Sequence, residues 1–355
     1  MIGDGGNLVV TFNGEIYNYP ALRKRLEADG VRFATTSDTE ALLHLYARHG
    51  AGMVHELRGM FAFAIWDERK RGLFLARDPY GIKPLYTAND GRTFRFASQV
   101  KAVLTGEQVS RDLDPAGVVG FFVFGSVPEP FSLYREISTL PAGHTQWIDE
   151  AGAHAPKPYA GIAEILAAGS SDPIPSAELP QRLRTCARDS VQAHLLADVE
   201  VGLFLSAGVD SGSLLGLMRD AGQRDIRALE SAHYLRNQLL RDADWAGMAH
   251  SIEIRVPLVD AEVLKGFAPA LPALKPGQGK AAPARSPSLP LPEEIVARAK
   301  TGFGVPTGAW LAKALAGEPK LAAEPKGLIS RNWSRVVLPN VIAASENAKL
   351  GALAS

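Results

Sequence analysis

Cysteine is nearly missing from this sequence, because Cys186 is the single cysteine among 355 residues. One thiol cannot form a disulfide within the chain, so no disulfide framework is expected. An excess of either charge is missing too, since 38 lysines and arginines balance 38 aspartates and glutamates. This balance gives no overall electrostatic signature for nucleic acid or for an acidic membrane surface.

Long apolar runs are also missing. No uncharged stretch approaches the ~20 residues that a membrane-spanning helix needs. The start, Met1 to Gly6, lacks the basic and then apolar pattern of a secretory signal. We therefore expect a protein that neither spans a membrane nor binds nucleic acid, with a cytoplasmic location.

What is present is the composition of a globular protein, 46% hydrophobic and 21% charged. The length suffices for two domains. Proline punctuates the chain from Pro128 to Pro141, and residues 151–180 are small, polar and irregular, as in a linker. We predict a first domain over residues 1–150, a linker over 151–180, a second domain over 181–315 and a tail over 316–355.

Short apolar runs alternate with turn residues in the first domain, which predicts an α+β fold with mostly antiparallel strand pairing. Pro20 opens a helical pattern that Gly30 ends, and a second pattern, 41–46, stops at Gly50. Strands are predicted over residues 8–12, 60–66, 73–76 and 94–97, and Asn13-Gly14 is predicted as a turn.

A strand, a loop of small residues and a helix follow one another in the second domain. After a predicted helix over 183–196, the strand covers 201–205, the loop 206–211 and the next helix 213–218. Small residues let backbone N–H groups approach an anion, and a helix N-terminus favours phosphate. The loop lacks the Gly-Lys-Ser/Thr ending of a Walker motif. A plain turn capped by Ser211 is the alternative.

The loop resembles the Ser-Gly-Gly-x-Asp-Ser motif of ATP pyrophosphatases, with alanine in place of the first glycine. The resemblance implies that Ser206, Gly208 and Ser211 hold pyrophosphate and that Asp210 helps to place Mg²⁺. Leu205 would contact the nucleotide. The predicted ATP and pyrophosphate site consists of Leu205, Ser206, Ala207, Gly208, Val209, Asp210 and Ser211.

Three further segments, residues 234–244, 248–260 and 300–306, resemble the C-terminal part of glutamine-hydrolysing asparagine synthetases. By that resemblance Lys300 meets the phosphates and the charge that develops when ammonia attacks an aspartyl-adenylate, whereas Arg255 and Glu253 form structural ion pairs. Only residues 219–230 join the loop to these segments, where family members have a long insertion. The implied fold is an α/β, mostly helical remnant of an adenine-nucleotide alpha-hydrolase-like domain.

Four motifs in the first domain occur in the order of the family's class II glutamine amidotransferase domain, an N-terminal-nucleophile hydrolase-like sandwich that is incomplete here. They cover residues 12–18, 36–40, 59–67 and 77–86. The resemblance places Asn13 and Gly14 in the oxyanion hole and Glu15 and Asp38 on the amino and carboxyl groups of glutamine. The alternative is a hairpin turn at Asn13-Gly14 and a helix N-cap at Asp38.

The cysteine nucleophile of the family has no counterpart in this sequence. Cys186 falls on the apolar side of a helix in the second domain, where we expect an inert core thiol. We expect glutamine hydrolysis by this polypeptide to be negligible.

Three functions stay open at this point. The first is asparagine synthesis from aspartate, ATP and Mg²⁺, with glutamine or ammonia as nitrogen donor. The second is a catalytically inactive remnant or binding protein. The third is an amidotransferase or β-lactam synthetase-like enzyme with another acceptor. The resemblance implies glutamine, aspartate and ATP as small-molecule partners, and a homodimer.

Overall fold

The computed structural model describes residues 1–106, 108–124, 126–171, 175, 178–197, 201–205, 208–221, 228–230, 244, 247–269 and 281–297. It divides into two units. The first comprises residues 1–84 and 141–301, and the second comprises residues 85–140 and 302–355. Ser206, Ala207, Lys300 and the predicted tail lie outside the described residues, as does most of the segment 234–244.

The strands are β1 (Ile2–Gly3), β2 (Leu8–Ile16), β3 (Gly59–Asp67), β4 (Gly72–Arg77), β5 (Tyr86–Asn89), β6 (Phe94–Ala97), β7 (Ile137–Thr139), β8 (His144–Asp149), β9 (Gly152–Ala153), β10 (Lys157–Pro158), β11 (Leu203–Leu205) and β12 (Ala228–Glu230). The helices are α1 (Tyr19–Ala28), α2 (Asp38–His49), α3 (Val100–Val103), α4 (Pro115–Phe124), α5 (Ile162–Ser171), α6 (Leu179–His194), α7 (Val209–Asp220), α8 (Ala261–Phe267), α9 (Ala281–Ala284) and α10 (Glu293–Val296). Two 3-10 segments cover Asp4–Gly6 and Gly50–Glu56.

The first unit contains a seven-stranded antiparallel sheet in the order β1-β2-β3-β4-β8-β10, with β9 paired to β8. Its core combines Phe61, Phe63 and Ile65 of β3 with buried residues of α1 and α2. Leu22 and Leu26 lie one turn apart on α1, so both face the sheet. The predicted α+β fold with antiparallel pairing is confirmed for this part of the chain.

Two predictions fail in the same unit. The turn at Asn13-Gly14 is wrong, because β2 continues to Ile16 and pairs with β3 along its whole length. The region 151–180 is not wholly irregular, because α5 lies within it.

Beyond α5, α6 packs with β11 and α7. Ala187 and Val191 of α6 form a buried cluster with Leu203, Leu217 and Met218. Strand β11 pairs in parallel with β12, so the described part of this region contains two parallel strands rather than one.

The second unit contains a three-stranded antiparallel sheet in the order β6-β5-β7. Ala88 and Ile137 of this sheet form a buried cluster with Val103 and Val109. None of the described helices combines the length and apolar character that crossing a bilayer requires.

Candidate functional site

The four residues predicted to bind glutamine, here called the glutamine-side cluster, are Asn13, Gly14, Glu15 and Asp38. The first three lie near the end of β2, where Asn13 pairs with Ala62 and Gly14 with Phe61. Gly14 has φ +150°, and a Cβ atom there would lie 2.1 Å from the Met60 carbonyl oxygen. The close approach of β3 therefore requires glycine at this position.

The Asp38 side chain joins this cluster through a hydrogen bond to the backbone of β2. Its Oδ2 accepts a hydrogen bond of 3.0 Å from the N–H of Ile16, the last residue of β2. Burial raises the pKa of the Asp38 carboxyl. The N-cap alternative for Asp38 is wrong, because Ser37 is the N-cap of α2 and its side chain accepts from Thr39.

Glu15 has a partner that sequence reasoning missed. Its Oε2 lies 3.2 Å from Nη2 of Arg255, whose Nε donates to Glu253 at 2.7 Å. Both Arg255 and Glu253 were predicted to form ion pairs, and here they pair with each other. The contact with Glu15 joins segments far apart in the chain, and no local pattern in the sequence signals it.

Other charged contacts also connect residues 1–84 with residues 141–301, the two chain segments of the first unit. Arg58, next to β3, contacts Asp189 and Asp260, each at 2.8 Å. Lys83 and Asp244 form a buried pair at 2.9 Å, with side chains 3% and 4% exposed. Removing either partner alone from an ion pair buried to this extent strongly destabilises the fold, because the other charge stays buried without a partner.

An aromatic contact accompanies these ion pairs. The rings of Tyr17 and His194 lie 4.1 Å apart between centroids. Nδ1 of His194 lies 2.9 Å from the Ser190 carbonyl oxygen, so it carries the proton in the neutral ring. Both the Tyr17 hydroxyl and Nε2 of His194 are buried without a hydrogen-bond partner among the described residues. Burial lowers the pKa of His194 to about 4, so this ring is neutral at pH 7.

Cys186 lies on α6 and packs against α8. A Cβ atom on Gly266 would lie 2.1 Å from its Sγ, which shows how close the two helices come. Burial raises the pKa of the thiol, and a raised pKa disfavours the nucleophilic thiolate. These properties fit the predicted inert packing role.

The nucleotide-side loop is the predicted ATP and pyrophosphate site, residues 205–211. Strand β11 ends at Leu205, and α7 begins at Val209, four residues before the predicted start. Val209, Asp210 and Ser211 therefore belong to the first turn of α7. The alternative of a turn capped by Ser211 is wrong, since Gly208 is the N-cap of α7.

This junction suits an anion. The first N–H groups of a helix point out of its N-terminus and carry the positive end of its dipole. The Ser211 hydroxyl lies close to the same end, 3.4 Å from the Gly208 carbonyl oxygen. A glycine cap leaves room beside these N–H groups, and backbone N–H donors at a helix N-terminus fit a phosphate.

The chain matches two family models in succession. The glutamine amidotransferase domain model matches residues 1–160, and the asparagine synthase model matches residues 182–230 and 219–324. This order defines a class of protein in which an amidotransferase domain precedes a synthetase domain.

Curated proteins similar to this chain are named glutamine-hydrolysing asparagine synthetases. The chain is 36% identical to glutamine-hydrolysing asparagine synthetase 1 of Bacillus subtilis (strain 168) over 59% of this chain and 32% of that protein. It is 30% identical to glutamine-hydrolysing asparagine synthetase B of Escherichia coli (strain K12) over 70% of this chain and 37% of that protein. The chain belongs to the glutamine-hydrolysing asparagine synthetase family, and it spans about a third of the length of these relatives.

Among solved structures, the allosteric regulatory enzyme of purine biosynthesis aligns with 66% of this chain and 49% of its own, at 20% identity. The TM-score of 0.32 is too low to establish a common fold.

Proposed function

We propose that this protein acts in ATP-dependent asparagine synthesis, in which an aspartate carboxylate attacks the α-phosphorus of ATP, pyrophosphate leaves, and ammonia then displaces AMP. The observation that carries this proposal is the junction of β11 and α7, where a glycine-capped helix N-terminus follows a parallel strand. This junction lies inside the region matched by the asparagine synthase model.

On the nucleotide side, Gly208 and Ser211 would hold pyrophosphate, together with Ser206. Leu205, Ala207 and Val209 would line the nucleotide. The adenine-nucleotide alpha-hydrolase-like fold belongs to this proposal, supported by the two parallel strands.

Mg²⁺ would bind near Asp210, in the first turn of α7. The described residues contain no cluster of three or more histidine, cysteine, aspartate or glutamate side chains suited to a metal. Magnesium commonly binds through one or two carboxylates, water and substrate phosphates. Asp210 with the phosphates of ATP fits that pattern, and Lys300 would neutralise charge that develops on the phosphates.

On the glutamine side, Asn13 and Gly14 would form the oxyanion hole, and Glu15 and Asp38 would hold the amino and carboxyl groups of glutamine. The N-terminal-nucleophile hydrolase-like sandwich belongs to this proposal. The support is that Asp38 is hydrogen-bonded to the residue after Glu15, which brings both carboxylates to one end of β2. The homodimer and the cytoplasmic location stay predictions.

The test is release of AMP and pyrophosphate by the 355-residue chain with ATP, Mg²⁺, aspartate and ammonium. Ammonium is the donor for this test because it needs no cysteine nucleophile. We expect AMP release that depends on aspartate. The variant Asp210→Asn should lower it about tenfold or more, since it weakens the hold on the metal.

The matched control is Glu262→Gln, which removes an exposed carboxylate paired with Lys265 on α8. Its AMP release should equal that of the unmodified chain. If the unmodified chain releases no AMP under any of these conditions, the proposal is wrong and the inactive binding protein is the better reading.

A further inference from the structure

Arg255 contacts both the glutamine-side cluster and the end of α6. Its guanidinium lies 3.2 Å from Glu15 in the glutamine-side cluster. The same group donates from Nη1 to the carbonyl oxygen of His194 at 2.9 Å and to that of Leu196. The Arg255 side chain is only 15% exposed.

The two carbonyl groups belong to the end of α6. His194 is the last residue of that helix, and Leu196 follows it on the way to β11. The final carbonyl groups of a helix lack intrahelical partners, and an arginine at this end satisfies them and complements the helix dipole. Arg255 is thus fixed by the end of α6.

Once fixed, Arg255 restricts Glu15. A guanidinium presents its five N–H donors in a rigid planar fork, and here Nε is directed to Glu253, Nη1 to the end of α6 and Nη2 to Glu15. Because the fork cannot rotate without losing its other bonds, it limits where the Glu15 carboxylate can lie.

We propose that Arg255 is a positioning residue that holds the Glu15 carboxylate in the orientation that receives the α-amino group of glutamine. This inference rests on the proposed glutamine-binding role of Glu15. Arg255 does not touch glutamine in this scheme and acts only through Glu15.

The experiment measures calorimetric binding of two ligands, L-glutamine and glutaramic acid, which is glutamine without its α-amino group. The unmodified chain should bind L-glutamine more tightly. In Arg255→Met the preference for L-glutamine should fall at least about fivefold, because a poorly oriented carboxylate loses much of a charged hydrogen bond. Arg255→Lys keeps the charge without the planar fork, so its preference for L-glutamine should lie between those of the unmodified chain and Arg255→Met.

A double variant separates positioning from general damage to the fold. In a chain that carries Glu15→Gln, adding Arg255→Met should leave the preference unchanged, because the residue through which Arg255 acts is already altered. The matched control is Arg58→Met, since Arg58 also joins the two parts of the first unit but contacts Asp189 and Asp260 instead. It should keep the full preference.

Two outcomes contradict the inference and differ from each other. If Arg255→Met and Arg255→Lys weaken both ligands equally and leave the preference intact, Arg255 has only a structural role and the proposed function is untouched. If the unmodified chain binds no L-glutamine, the glutamine-binding role of Glu15 fails, and the positioning role fails with it.

Discussion

Gly14 in the glutamine-side cluster and Gly208 in the nucleotide-side loop are both glycines of predicted binding motifs, but their backbones differ. Gly14 has φ +150° and sits against a carbonyl group of β3. Gly208 has φ −93° and ψ 159°, values that any residue adopts. The first glycine is required by the packing of two strands, whereas the second is a helix N-cap without a side-chain hydrogen bond to the helix. One residue type thus serves two unrelated physical needs in this chain.

The largest expected effect concerns Gly14, the glycine that is packed against β3. Gly14→Ala should lower the free energy of unfolding by about 3 kcal/mol or more, because β2 and β3 must separate and the backbone is strained at positive φ. Urea unfolding measures this loss. The control is Gly30→Ala, where φ is +89° but no atom lies within 4 Å of the added Cβ. It should cost only about 1 kcal/mol, and equal losses would show that the close approach is unimportant.

An effect of intermediate size concerns His194 at the end of α6, which contacts Tyr17 just after β2. His194 has its pKa lowered to about 4 from an ordinary 6.5. The unfolded chain therefore takes up the proton first as the pH falls. The stabilising contribution of neutral His194 is complete above pH 6.5 and is lost progressively between pH 6.5 and 4, by up to about 3 kcal/mol.

Unfolding by urea at several pH values measures this slope. His194→Gln should flatten it in that window, and between pH 7 and 8 the two proteins should show the same pH dependence. An unchanged slope in the variant would mean that other groups cause the acid sensitivity.

The smallest expected effect concerns Gly208 in the nucleotide-side loop. Gly208→Ser supplies an N-cap side chain that accepts from the first turn of α7, which should stabilise the fold by about 0.5 kcal/mol. The added side chain also occupies the anion position, so AMP release should fall while stability rises. Parallel thermal unfolding and AMP assays follow the two changes, and a rise in both would argue against phosphate at this helix end.

Several regular elements of the first domain were predictable because their signals are local. Pro20 and the spacing of Leu22 and Leu26 fix α1, and continuous apolar runs fix β3 and β4. The end of β2 was not predictable in this way. Asn-Gly predicts a turn only when the two residues are not paired with a neighbouring strand, and here β3 pairs with both of them.

The candidate site was predictable in part. The motifs singled out Asn13 to Glu15 and Asp38, and the hydrogen bond from Ile16 to Asp38 joins them. The contact between Arg255 and Glu15 depends on how α6 ends, which no window of the sequence contains. The irregular appearance of residues 151–180 hid α5, although Ile162, Ile165 and Leu166 are spaced as on one helix face.

Asp260 combines three tasks in one carboxyl group. Oδ1 caps α8 by accepting from the N–H of Glu262, while Oδ2 accepts from Arg58 and from the Ser190 hydroxyl. Substitutions at these neighbours are therefore non-additive with a change at Asp260. The position is therefore a shared joint: a single replacement of Asp260 removes the cap of α8, a partner of Arg58 and a partner of Ser190 together.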